Sequence, residues 1–92
     1  MTNNPFDFEI DYAPKKPYTQ YKLMSIQNKV PEDVRGMDNI YWDTFYECYV
    51  KYISESESYF YFRDKWCKEG MPNIIHNRVQ KNQGMIKIES NS

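Results

Sequence analysis

Between residues 41 and 66 the positions Trp42, Phe45, Tyr49, Tyr52, Ser56, Tyr59, Arg63 and Trp66 recur at intervals that alternate between three and four. That is the period of a single stripe on a helix, so the pattern predicts helix through this block. The stripe is interrupted at residues 54–58, Ser-Glu-Ser-Glu-Ser, where short hydroxyl side chains that favour caps and turns replace aromatic ones. Two arrangements fit. Either one long interrupted helix runs over about residues 38–69, or the chain turns at the serines and folds back as a helical hairpin. The hairpin is the favoured reading. Ser54 or Ser56 caps its second helix, Glu55 and Glu57 lie in the first turn, Lys65 and Lys68 lie in the last, and Gly70 and Pro72 supply the stop. Asp38 or Asn39 precedes the first helix, and Asp43 falls in its opening turns. The four consecutive aromatics of residues 59–62 are also what a buried strand looks like.

Before this block, Pro5, Pro14 and Pro17 forbid a long helix, and residues 1–36 read as an extended arm. Phe6, Phe8, Tyr12, Tyr18 and Tyr21 are spaced along it as anchors to a surface. Residues 6–10 alternate apolar and acidic side chains, a pattern that adds to an exposed sheet edge. Residues 21–26 form a short helix or strand, and Pro31 to Gly36 supply a helical turn that ends the arm. After the block, residues 73–83 read as a short helix capped by Asn73 and closed by Gly84, and residues 85–89 as a short strand. The competing assignment makes residues 74–79 a strand as well. The expected fold class is therefore mostly α: an extended arm over residues 1–36, an aromatic-rich helical hairpin over 37–70, and a short mixed tail over 71–92.

Composition sharpens this picture. The chain has 92 residues, with Leu23 its one leucine and Ala13 its one alanine, so aromatics and isoleucines must fill the core. Eleven of its sixteen aromatic residues lie within residues 41–66. Buried tyrosine hydroxyls need partners, and a helix pair cannot enclose so wide an aromatic surface. Part of it is expected to be a core and part an interface, where Tyr and Trp are enriched. Trp42, Phe45, Tyr49, Tyr59, Phe62 and Trp66 are the expected core and anchors. The formal net charge of −1 provides no global field for nucleic acid or an anionic bilayer. No apolar run approaches the ~18 residues that span a membrane. The acidic N-terminus resembles neither a signal peptide nor a transit peptide.

Little chemistry is expected. Cys48 and Cys67 are the only cysteines and His76 the only histidine, and they lack the close pairs of a zinc site. A Cys67–His76 catalytic pair would need a nucleophile turn and an oxyanion hole that the sequence does not supply, so the thiols read as inert. Gly36, Gly70 and Gly84 are too scattered for a phosphate loop. No cofactor is called for. Cys48 and Cys67 would stand roughly 28 Å apart in one straight helix but nearly level in a hairpin, where a disulfide becomes feasible. Arg78, Lys81 and Lys87 form a small basic excess that can contact phosphates.

Phe45-Tyr46-Glu47-Cys48 and the run from Tyr59 to Trp66-Cys67 place an aromatic near a cysteine in each half of the block. This resembles the twin-cysteine helical hairpins of the mitochondrial intermembrane space. In that family each helix carries two cysteines, whereas this chain has Asp38 and Ser56 or Glu57 where the second members would fall. The resemblance implies a non-catalytic accessory subunit of a respiratory complex on the intermembrane-space side; the residues themselves leave the compartment open between that side and the cytoplasm. The functional expectation is an adaptor that binds other proteins in a larger assembly. The alternatives are a phage or mobile-element protein that blocks a host factor, and a small nucleic-acid binder using Arg78, Lys81 and Lys87.

Overall fold

The computed structural model describes residues 18–89. The acidic–apolar alternation of residues 6–10 and the anchors Phe6, Phe8 and Tyr12 lie outside the described residues. Helix α1 (Gln20–Asn28) is followed by a 3-10 turn (Glu32–Val34), four strands β1 (Ile40–Asp43), β2 (Cys48–Ser54), β3 (Glu57–Phe62) and β4 (Lys65–Lys68), helix α2 (Pro72–Lys81) and strand β5 (Met85–Lys87). The strands form one antiparallel sheet in the order β4-β3-β2-β1-β5. The mostly helical expectation is thus corrected. Residues 37–70 are neither a helical hairpin nor one interrupted helix, but the meander β1–β4. Residues 18–36 carry α1 and the 3-10 turn.

The physical reason lies in how the sheet is covered. Register pairs Trp42 with Tyr49, Lys51 with Tyr59 and Tyr61 with Trp66, which puts all of them on one face with Ile40. Tyr41, Asp43, Cys48, Val50, Tyr52, Phe60, Phe62 and Cys67 point the other way. On the first face α1 and the 3-10 turn bring Ile26, Val30 and Val34 against Ile40 and Ile88, with Trp42, Tyr49 and Trp66 packed around them. On the second, α2 brings Ile75 against Val50 and Met85, with Phe60 and Val79 beside them. A sheet buried on both sides loses the apolar–polar alternation of a half-exposed strand. Tyr59, Phe60 and Tyr61 are consecutive half-buried aromatics because both faces are packed, and Phe62 beside them is exposed.

Turn chemistry closes the meander. The serines at residues 54–56 form the β2–β3 turn, where Ser54 Oγ accepts from the Ser56 amide at 3.2 Å. Arg63 and Asp64 join β3 to β4 with φ of 54° and 65°, the left-handed pair of a type I′ hairpin. Thr19 caps α1 by accepting from the Lys22 amide at 3.0 Å, and Asn82 ends α2 in the left-handed conformation. The outer edge of β5 is closed by one side chain. Gln27 Nε2 donates to the Lys87 carbonyl at 3.1 Å, and Gln27 Oε1 accepts from the Glu89 amide at 2.9 Å.

Candidate functional site

Asp43 ends β1 and organises the loop that leads into β2. It is 1% exposed, and its Oδ1 accepts from the amides of Phe45 (2.8 Å) and Tyr46 (3.2 Å). An aspartate before a turn bonds its own following amides in this way. The Glu47 amide donates to the Asp43 carbonyl at 2.7 Å, and Glu47 takes φ of 56° to turn the chain into β2. Thr44 ties the loop to the far end of the domain, because both its amide (3.0 Å) and its hydroxyl (2.8 Å) donate to the Gly84 carbonyl. The remaining Asp43 oxygen faces Arg78 of α2, with Nη1 to Oδ2 at 3.2 Å. The Arg78 guanidinium also lies 4.4 Å from the Phe45 ring centre and 5.5 Å from that of Tyr46. One ion pair, backed by two cation–π contacts, therefore sets the loop of residues 44–47.

This loop is one wall of an open cleft of about 560 Å³ on the α2 side of the sheet. Val50, Phe60 and Cys48 line it from the sheet, Tyr46 and Glu47 from the loop, and Phe62, Arg63 and Glu69 from the β3–β4 end. Its aromatic surroundings stay accessible: Tyr46 is 70% and Phe62 52% exposed. At the start of α2, Met71 and Ile74 are also exposed, and Ile74 lies one turn before Arg78 on the same side of the helix. Among the lining residues Glu47 and Glu69 stand against the single base Arg63, whose guanidinium lies over the Phe62 ring, while Asp43 is paired with Arg78. Glu69 in turn accepts from the Met71 amide at 3.0 Å. Burial, and then the nearby charges of Asp43 and Glu69, push the Cys48 thiol up to about 11. A thiol so protonated is a packing group and a poor nucleophile.

The sequence-predicted residues divide among these surroundings. Trp42, Tyr49 and Trp66 belong to the α1 side. Trp42 Nε1 donates to the Tyr18 hydroxyl (3.1 Å), the Tyr49 hydroxyl to the Ile26 carbonyl (2.8 Å), and Trp66 Nε1 to Asp33 (2.9 Å). Tyr59 shares that face, with its hydroxyl on Glu57 and Lys51 Nζ 5.3 Å from its ring centre. Phe45 lies in the loop under Arg78, and Phe62 lines the cleft. Cys48 and Cys67 are free thiols, on β2 and β4 with β3 between them. Two strand spacings alone make about 9.6 Å, beyond the reach of a disulfide between them. His76 is stacked on Tyr52, with Nδ1 2.7 Å from its hydroxyl, and is not among the residues lining the cleft beside Cys48. Arg78 is committed to Asp43, Lys81 sits in the last turn of α2, and Lys87 lies over the Tyr41 ring at 5.5 Å. Sequence reasoning missed Tyr46 and Phe60 as surface-forming residues and Asp43 as the loop's organiser. The signal available for Asp43 was its place before Thr-Phe-Tyr-Glu, an aspartate-led turn read as the start of a helix.

Among the described residues no three His, Cys, Asp or Glu side chains gather as metal ligands, and no helix is long and apolar enough to cross a membrane. No protein-family model, curated protein or solved structure matches this chain.

Proposed function

We propose that this chain is a non-catalytic protein-binding module that receives an apolar side chain of a larger partner in the cleft beside α2. The observation that carries this reading is the pairing of an apolar cleft of about 560 Å³ with the exposed rings of Tyr46 and Phe62. Aromatic side chains around a small pocket are the usual anchors of protein recognition, and a partner desolvates them at little cost in rotamer freedom. Glu47 and Glu69 at the cleft favour a basic residue next to the partner's apolar one. The neutral thiol of Cys48 and the diversion of His76 to Tyr52 support binding over nucleophilic chemistry.

The reading is tested by affinity capture from cells that make the protein, comparing the wild type with Tyr46→Ala, Phe62→Ala and Tyr21→Ala. Tyr21 is 83% exposed on α1, remote from the cleft, and serves as the control. A partner held by the wild type and by Tyr21→Ala but lost from both cleft variants is the expected result. Capture that does not distinguish the three variants would defeat the reading.

A further inference from the structure

The two edges of the sheet are treated differently. The outer edge of β5 is closed by Gln27, while among the described residues nothing pairs with the outer edge of β4. The ladder of β4 determines which groups it presents. The Glu69 amide donates to the Ser58 carbonyl at 2.9 Å, and in an antiparallel strand alternate residues turn their main chain to the same side. Lys65, Cys67 and Glu69 therefore face β3, and the N–H and C=O groups of Trp66 and Lys68 point outward.

We infer that this edge pairs with the same edge of a second copy, about a twofold axis passing through Cys67 perpendicular to the sheet. Antiparallel pairing requires outward residues to meet outward residues, which leaves three registers. Centring on Lys68 sets that lysine against its own copy. Centring on Trp66 requires Asp64, at φ 65°, to act as an extended residue. Centring on Cys67 uses only residues of the strand and its continuation at Glu69. In that register Trp66 exchanges both main-chain bonds with Lys68 of the second copy, and Lys65 lies directly opposite the second copy's Glu69. The β4 lysines, which on an open edge repel other strands, are in this one register met by a carboxylate and by an indole face. The two Cys67 residues form a non-hydrogen-bonded pair with Cα atoms ~4.5 Å apart, close enough to be linked. Because the axis is perpendicular to the sheet, both α2-side clefts open on the same side of the resulting ten-stranded sheet.

The test uses the full chain in light scattering after gel filtration, and then diamide, which accepts the two hydrogens released when two thiols join. A dimer that diamide traps through Cys67–Cys67, unchanged by Cys48→Ala and abolished by Cys67→Ala, is expected. Lys65→Glu sets like charges opposite each other twice and weakens association by about tenfold, and adding Glu69→Lys to it restores the dimer. A chain monomeric at every concentration, a link through Cys48, or a dimer indifferent to the charge exchange would overturn the assignment.

Discussion

Replacing Asp43 with alanine removes three interactions at once, all within a site that is 1% exposed. The amides of Phe45 and Tyr46 lose their acceptor. The Tyr46 amide lies in an exposed loop where water replaces the carboxylate, so the cost there is small. The Phe45 amide is more enclosed, and a lost bond to a charged acceptor costs about 1.5 kcal/mol. Arg78 loses its counter-ion while its side chain is only 18% exposed. An orphaned buried charge costs about 3–5 kcal/mol, and partial solvent access and the Phe45 ring reduce this to about 2 kcal/mol. The expected destabilisation is therefore ~3 kcal/mol, a large part of what so small a domain possesses. With a urea dependence near ~1 kcal/mol/M, the midpoint falls by about 3 M. Asp43→Asn keeps an acceptor for the two amides and loses about half as much. The assay is urea unfolding monitored by the fluorescence of Trp42 and Trp66, in a double-mutant cycle with Arg78→Met. A cost for Asp43→Ala under about 1 kcal/mol, or Arg78→Met costing the same with and without Asp43, would refute the reasoning.

The backbone and the buried thiol set three further outcomes. Gly84 has φ of 72°, and a Cβ there would meet the Phe45 ring at Cε2 and, at 2.9 Å, at Cδ2. Gly84→Ala therefore costs ~3 kcal/mol in thermal unfolding, whereas Gly36→Ala, at φ of 89° with open space around it, costs only about 1 kcal/mol. Asp64→Gly relieves a left-handed residue in the β3–β4 hairpin and stabilises by about 1 kcal/mol, read as a raised urea midpoint. At pH 8 Cys48 alkylates about a hundredfold more slowly than an unstructured cysteine peptide, which peptide mapping by mass spectrometry measures. Because its pKa is raised on folding, Cys48 keeps its contribution to stability below about 9 and loses it as pH climbs toward about 11. Cys48→Ala flattens that alkaline decline.

The parts of the fold legible in the sequence are those fixed by local chemistry. Pro31 with Glu32 and Asp33, ended by Gly36 at φ of 89°, is a helical turn in sequence and in structure. The helix expected over residues 73–83 and the strand expected over 85–89 correspond to α2 and β5, but α2 begins at Pro72 behind Met71 rather than at an Asn73 cap and ends at Asn82 rather than Gly84. The serines mark a turn both in the hairpin reading and in the structure, where the turn is confined to residues 55–56 and Ser58 already belongs to β3. The meander was illegible because both its faces carry aromatics: Tyr59 and Tyr61 lie on α1's side, Phe60 and the exposed Phe62 on α2's, and period two disappears. The apparent helical stripe combines Trp42 and Tyr49, cross-strand partners, with Phe45 in a loop and Arg63 in a turn. The Arg63–Asp64 hairpin lacks the Asn-Gly that normally announces a type I′ turn. Phe62 was legible as an anchor from its ring alone, but Tyr46 depends on a loop that only Asp43 and Arg78 define.

The central claim is that the face around Tyr46 and Phe62 receives a protein. Site-specific photo-crosslinking tests it most directly, with benzoylphenylalanine placed at Phe62 in one chain and at Tyr21 in another, irradiated in cells that make the protein. The account predicts a discrete protein adduct from position 62 that Tyr46→Ala diminishes, and none of that mass from position 21. No adduct from position 62, or the same adducts from both positions, would contradict it.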